Sequence, residues 1–398
     1  MASWSHPQFE KGALVPRGSK VLTVFGTRPE AIKMAPVILE LQKHNTITSK
    51  VCITAQHREM LDQVLSLFEI KADYDLNIMK PNQSLQEITT NIISSLTDVL
   101  EDFKPDCVLA HGDTTTTFAA SLAAFYQKIP VGHIEAGLRT YNLYSPWPEE
   151  ANRRLTSVLS QWHFAPTEDS KNNLLSESIP SDKVIVTGNT VIDALMVSLE
   201  KLKITTIKKQ MEQAFPFIQD NSKVILITAH RRENHGEGIK NIGLSILELA
   251  KKYPTFSFVI PLHLNPNVRK PIQDLLSSVH NVHLIEPQEY LPFVYLMSKS
   301  HIILSDSGGI QEEAPSLGKP VLVLRDTTER PEAVAAGTVK LVGSETQNII
   351  ESFTQLIEYP EYYEKMANIE NPYGIGNASK IIVETLLKNR LEHHHHHH

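Results

Sequence analysis

Short apolar runs alternate with longer amphipathic stretches along the whole chain. In the first half the runs Val21–Phe25, Val51–Thr54, Asp106–Ala110, Val131–Ile134, Trp162–Ala165 and Val184–Val186 read as buried strands. Between them, Ala31–His44 and Leu85–Phe103 carry the 3.6-residue spacing of amphipathic helices. In the second half the strands are Val224–Ala229, Phe256–Pro261, Val282–Ile285, His301–Leu304, Val321–Leu324 and Val339–Leu341, with helices such as Ile239–Lys252 and Pro271–Ser278 between them. Six strands followed by six, each separated by helices, predict two Rossmann-like α/β domains with parallel sheets. The boundary falls near Thr187–Asn189, giving domains over 20–187 and 188–370. A turn-rich stretch, Asn371–Asn377, then leads to a last amphipathic helix, Ser379–Lys388, within 371–390. The pattern does not say where that helix docks. Open parallel sheets bind ligands at the carboxyl ends of their strands, so two of them face to face predict a central cleft.

The chain's ends change the arithmetic. WSHPQFEK and LVPRGS within residues 1–19, and LEHHHHHH at 391–398, read as purification tags and a protease site and are set aside. The remaining chain, about 370 residues, is long for one domain and comfortable for two. It is 41% hydrophobic and 21% charged, as expected of a folded globular protein. No apolar run approaches the roughly 20 residues of a membrane helix. The net charge of −7 argues against nucleic acid as a partner. Lys20-Val-Leu-Thr-Val already reads as a strand, which leaves no visible signal peptide. Cys52 and Cys107 sit in apolar strands and read as buried free thiols of a reducing, cytoplasmic compartment.

Several turns carry chemistry beyond what packing requires. Phe25-Gly-Thr-Arg-Pro-Glu30 runs from a strand through a glycine turn into a helix, with Arg28 and Lys33 adding positive charge at its start. That suits a phosphate or diphosphate, though an ordinary turn with solvated charges has the same residues. His111-Gly-Asp-Thr-Thr-Thr-Thr117 places Asp113 at a strand end, as a catalytic group or as a helix cap. Gly132-His-Ile-Glu-Ala-Gly-Leu-Arg139 places Glu135 at another. After Pro148, Glu149 and Arg153 fall one turn apart on one helix face, alone no more than an exposed ion pair. Beside Asp113 and Glu135, Glu149 completes a three-carboxylate cluster, in which repulsion raises at least one pKa toward neutrality.

In the second half, His230 ends a strand in Thr228-Ala-His-Arg-Arg-Glu-Asn234, and Arg231 and Arg232 beside it suit an anion. His263 also ends a strand but lacks charged neighbours. In Glu286-Pro-Gln-Glu-Tyr-Leu-Pro-Phe293, Gln288 offers an amide matching a uracil edge. For Phe293, core filling is the better reading of these residues alone. The strongest signal is Ser305-Asp-Ser-Gly-Gly-Ile-Gln-Glu-Glu-Ala314. Ser307, Gly308 and Gly309 open a helix whose N–H groups suit a diphosphate, Glu313 suits ribose hydroxyls, and Arg330 returns positive charge to the same edge.

The segments FGTRPEAIKMAP, HGDTTTT, GHIEAGLRT, AHRREN, IEPQEYLPF, DSGGIQEEAPSLGKPVLVLRDTTERPE and NPYG, in order over the chain, resemble the non-hydrolysing bacterial UDP-N-acetylglucosamine 2-epimerases. The resemblance implies a GT-B fold and a homodimer. It also implies interconversion of UDP-GlcNAc and UDP-ManNAc through loss and re-addition of UDP, with no nucleotide cofactor and no metal, in the service of cell-surface polysaccharide synthesis. By it, Asp113, Glu135, Glu149 and His230 match catalytic positions. Arg28, Lys33, Arg153, Gln288, Phe293, Ser307, Gly308, Gly309, Glu313 and Arg330 match positions that hold substrate. Some relatives bind a second UDP-GlcNAc as an activator, and Gln56, His57, Arg231 and His263 match that site. Glu59 and Asn82 stand where those relatives have Gln and Arg. The alternatives are a hydrolysing relative, a GT-B glycosyltransferase and a non-catalytic sensor, and the three carboxylates argue most strongly against the last.

Overall fold

The computed structural model describes residues 19–55, 57–78, 80–218 and 222–396, so residues 1–18 of the tag and protease site lie outside it. The chain divides into two compact units. One ends at Ala194 and resumes at Gly374, and the other is Leu195–Tyr373. The division thus falls inside the helix Thr190–Leu202, a little beyond the predicted boundary at 187/188, and again after Tyr373 rather than at 370.

The first unit holds a seven-stranded parallel sheet: β1 (Ser19–Phe25), β2 (Ile47–Ile53), β3 (Tyr74–Asp75), β4 (Cys107–His111), β5 (Val131–Ile134), β6 (Trp162–Ala165) and β7 (Val184–Val186). The order is β3-β2-β1-β4-β5-β6-β7. It reverses direction between β1 and β4, the place where such sheets bind ligands. Six strands were expected here. The seventh, β3, is two residues pairing with Cys52 and Ile53 at the edge, too short for any periodicity to reveal. Leu22, Val24, Cys52, Val108 and Val131 of the strands pack with Leu96, Val99, Phe103 and Ala120 of the covering helices. Burial on both faces is why these strands read as continuous apolar runs.

The second unit holds six parallel strands: β8 (Val224–Thr228), β9 (Ser257–Pro261), β10 (Val282–Ile285), β11 (Ser300–Ser305), β12 (Val321–Val323) and β13 (Val339–Leu341). Their order, β10-β9-β8-β11-β12-β13, reverses between β8 and β11. The core joins Ile225, Ile227, Phe258, Ile302 and Leu322 to Ile242, Ile246, Leu249 and Phe353 from the helices. One helix starts earlier than its pattern suggested. It spans Pro266–Leu276, because the Asn265 side chain caps it by accepting from Asn267 N at 2.9 Å, and Pro271 lies inside it.

The last helix, Ala378–His396, belongs to the first unit and packs on the helix Arg28–Gln42. Asp193 caps its start, accepting from Ala378 N at 3.2 Å and Ser379 N at 2.8 Å. The distance between these partners in sequence is why the docking was not legible. Among the described residues no helix is long and apolar enough to cross a membrane.

Candidate active site

In the first unit, β1, β4 and β5 each end in a turn that delivers a polar side chain to the carboxyl edge of the sheet. After β1 the chain passes Gly26, where an added Cβ would stand 2.0 Å from Thr54 Oγ1, so nothing larger than glycine fits. Thr27 then caps the helix Arg28–Gln42, and Glu30 reaches back to accept from Thr27 N at 3.0 Å, a capping box. That fixes the helix so that Lys33, one turn in, meets Glu135 with its Nζ 2.6 Å from Oε2. Glu135 itself has φ +65°, a left-handed conformation that costs a non-glycine residue energy. Asn189 Nδ2 donates to the same Oε2 at 3.1 Å.

Asp113 follows β4 and Gly112, and the helix Glu149–Leu159 pins it twice. Asn152 Nδ2 donates to the Asp113 carbonyl at 3.1 Å, and Arg153 Nη1 lies 3.2 Å from Oδ2. The predicted Glu149–Arg153 pair does not form. Arg153 instead pairs with the fully buried Glu150 at 2.6 Å, because i,i+3 faces inward here while Glu149 stays half-buried at the helix start.

The electrostatics separate the acids. Burial and the neighbouring Glu135 charge raise the Asp113 pKa against Arg153, with Glu149 adding to the rise. Burial alone would raise Glu135 too, but the Lys33 ammonium and His111 hold it well below the usual carboxylate range. Two carboxyls at one sheet edge are thereby set on opposite sides of their ordinary values, the condition for one acid and one base.

In the second unit the turn after β8 and the turn after β11 meet through Asp306. This fully buried carboxylate accepts from His230 N and Arg231 N, each at 2.9 Å, and from Asn234 Nδ2 at 3.1 Å. The His230 ring, its pKa lowered by burial against the pull of Asp306, lies 5.5 Å from the His263 ring. Ser307 precedes the short helix Gly308–Glu313. An added Cβ on Gly308 would stand 3.1 Å from Arg330 Nη2, so Arg330 does return to this turn, where its Nε also meets Glu312 at 3.3 Å. Glu313 is buried and accepts from Tyr290 Oη at 2.8 Å. Gln288 donates to the Glu286 carbonyl at 2.7 Å, and Phe293 is half-buried rather than wholly in the core.

Two groups therefore form, one on each unit: Lys33, Asp113, Glu135 and Arg153 with Arg28 and Glu149 nearby in the chain, and His230, Ser307, Gly308, Gly309, Glu313 and Arg330. Of the matched activator positions, Gln56 lies outside the described residues. His57 is exposed with φ +50° on the first unit, and Arg231 and His263 are on the second. The sequence reading overlooked Glu150, Asn152, Asn189, Asp306 and Tyr290. Asp306 and Tyr290 lay within quoted motifs, and a carboxylate directly after a buried strand was a usable sign for the first. Among the described residues no group of His, Cys, Asp and Glu side chains is arranged to hold a metal ion.

Known proteins resemble this chain over nearly all of its length. The family model described as UDP-N-acetylglucosamine 2-epimerase matches residues 39–387. The UDP-N-acetylglucosamine 2-epimerase of Escherichia coli O157:H7 is 58% identical over 373 residues, 94% of this chain and 99% of its own length. The crystal structure of UDP-GlcNAc 2-epimerase from Neisseria meningitidis bound to UDP-GlcNAc is 98% identical, covers 93% of this chain and 100% of its own, and superimposes with a TM-score of 0.87. The Methanocaldococcus jannaschii UDP-GlcNAc 2-epimerase in complex with UDP-GlcNAc and UDP is 35% identical over 92% of this chain and 99% of its own, with a TM-score of 0.74.

Proposed function

The chain belongs to the UDP-N-acetylglucosamine 2-epimerase family, and from that premise we propose that it interconverts UDP-GlcNAc and UDP-ManNAc without net hydrolysis. A base removes the C2 proton while the C1–O bond to UDP breaks, and the electron pair forms the C1–C2 double bond of 2-acetamidoglucal. UDP then adds back at C1 as a proton is delivered to C2 from the other face. The observation that carries this reading is the pair Asp113 and Glu135 at one sheet edge, pushed in opposite directions. Glu135, ionised beside Lys33, is suited to accept a proton, and Asp113 is suited to donate one. Ser307, Gly308, Gly309 and Arg330 suit the diphosphate, and Glu313 the ribose hydroxyls. The buried free thiols of Cys52 and Cys107 support a cytoplasmic setting, and the family resemblance supports a homodimer, which sedimentation would check.

Proton NMR of the protein with UDP-GlcNAc in deuterated water tests the reading. The expected product is UDP-ManNAc carrying deuterium at C2, with little free UDP. Free UDP with free ManNAc would move the protein to the hydrolysing branch, and no reaction with intact binding would leave a transferase or a sensor.

Tyr290→Phe deletes the hydrogen bond to Glu313. It is expected to weaken UDP binding about fivefold, or ~1 kcal/mol, in calorimetric titration. Unchanged affinity would mean that Glu313 needs no fixing to hold the ribose.

A further inference from the structure

We propose that Asn189 is a positioning residue for the reaction: its amide holds Glu135 by Oε2 and so leaves Oε1 as the oxygen that takes the C2 proton. This role rests on the reading of Glu135 as the base. Asn189 follows β7, two strands along the sheet from β5, whose end carries Glu135. It is 5% exposed. Its Oδ1 accepts from Val191 N at 2.9 Å and caps the helix Thr190–Leu202, while its Nδ2 donates to Glu135 Oε2 at 3.1 Å. The two partners fix which end of the amide is which, because a backbone N–H only donates and an ionised carboxylate only accepts. Capping explains the oxygen alone, since serine or aspartate would cap this helix as well. It does not explain a donor aimed at a carboxylate two strands away.

The backbone around Asn189 is confined too. Gly374 of the NPYG segment closes on it: an added Cβ there would stand 3.1 Å from Gly188 Cα and 3.7 Å from Asn189 N, and its φ is +118°. Gly374→Ala would therefore push on the residue that holds Glu135. The charged and titratable groups facing Glu135 are Lys33 from the helix Arg28–Gln42, His111 at the end of β4 and Asp113 from the turn after it. Lys33 Nζ at 2.6 Å and the His111 ring at 3.6 Å meet Oε2, the oxygen that Asn189 also takes. Oε1 instead lies toward the Gly112 turn, 3.9 Å from where a Cβ on Gly112 would stand, and that turn leads directly to Asp113. Lys33 brings charge to Oε2 on a long flexible stem. Asn189, short, buried and tied at its other end, brings direction. A carboxylate free to turn about its last torsion presents either oxygen and loses the aligned geometry that proton abstraction needs. With Oε2 held, the C2–H bond breaks toward Oε1, the proton stays there, and the electron pair enters the C1–C2 double bond as UDP leaves.

The test compares pH profiles of kcat and KM for UDP-GlcNAc in the wild type, Asn189→Ser and Asn189→Asp. Both substitutions keep an oxygen for Val191 N, so their melting temperatures should stay with the wild type. Asn189→Ser removes the donor to Oε2, and Asn189→Asp faces Glu135 with a second carboxyl, so each raises the Glu135 pKa. The acid limb of kcat is expected to move up by about half a pH unit with serine and about one unit or more with aspartate. At the optimum kcat should fall about tenfold, with KM changed by less than about threefold. Folded variants whose acid limb and kcat stay with the wild type would leave Asn189 a helix cap and overturn the proposal. Carbon-13 NMR of labelled glutamate, assigned with Glu135→Gln, reads the same titration without turnover: a raised Glu135 pKa in Asn189→Asp supports the proposal, and an unchanged one overturns it. Glu135→Gln also separates this role from the reading beneath it. Loss of C2 deuterium exchange in that variant keeps Glu135 as the base and leaves the decision to the Asn189 variants, whereas exchange at the wild-type rate would remove Glu135 as the base and the role of Asn189 with it.

Discussion

Asp113→Asn is expected to lower turnover about a hundredfold or more, while UDP affinity changes by less than about twofold. The substitution keeps the shape and leaves an oxygen for Arg153 Nη1, which sits 3.2 Å from the present carboxylate. What it removes is the proton. Burial and the Glu135 charge keep the Asp113 carboxyl protonated to higher pH than a free aspartate, which suits it to deliver a proton to C2 and to be recharged by the next turnover. An amide does neither. Ser307, Gly308, Glu313 and Arg330, proposed above to hold UDP, belong to the second unit, so binding should survive. The sign of the pH dependence follows from the raised value. Activity that requires the protonated carboxyl is present below that pKa and falls as pH rises through it, so the wild-type alkaline limb should be absent from the residual activity of the variant. Steady-state kinetics with calorimetry of UDP binding reads both parts. Wild-type turnover in a folded Asp113→Asn protein would remove Asp113 from the mechanism.

How much of this site was legible from the chain depends on how far apart the partners lie. The turns themselves were readable, because each is a local event: a buried strand, a glycine or proline, and a polar residue at the helix start. Asp113, Glu135, His230 and the Ser307–Gly309 turn stand out as candidates in that way. The orientation of those side chains was not readable, because it is set by contacts across the sheet. Lys33 and Glu135 are 102 positions apart, Asn152 and Asp113 are 39 apart, and His230 and Asp306 are 76 apart. Glu149 was paired with Arg153 by helix spacing alone, yet the helix is turned so that its neighbour Glu150 faces in. Spacing gives both candidates nearly the same standing, since i,i+3 and i,i+4 share a face, and only the packing around the helix decides between them. The final helix shows the same limit, as its cap, Asp193, lies about 185 positions before it.

The residue that decided between those candidates should also be the costliest to remove. Glu150 is wholly buried and accepts three hydrogen bonds, from Thr140 N at 3.1 Å, Tyr141 N at 2.8 Å and Arg153 Nε at 2.7 Å, with Arg153 Nη2 in ion-pair contact at 2.6 Å. Glu150→Ala leaves two backbone amides without partners. It also leaves a guanidinium, 9% exposed, with only the 3.2 Å contact to Asp113. Breaking one side of such a buried pair costs about 3–5 kcal/mol, which in a unit of this size lowers the midpoint of unfolding by roughly 6–20 °C. Glu150→Ala combined with Arg153→Met should be less destabilised than the two single changes added together, because the second removes the stranded charge. Acidity should narrow the difference between wild type and Glu150→Ala. Burial raises the Glu150 pKa, but the Thr140, Arg153 and Tyr141 bonds outweigh it and leave the value below the ordinary 4.5. The carboxylate's contribution is therefore complete above 4.5 and is lost as pH falls through the lower folded value. Calorimetric melts at neutral and acidic pH read this directly. A Glu150→Ala protein that melts with the wild type at neutral pH would show that Arg153 finds another partner, and that Asp113 is held in place by something other than this buried pair.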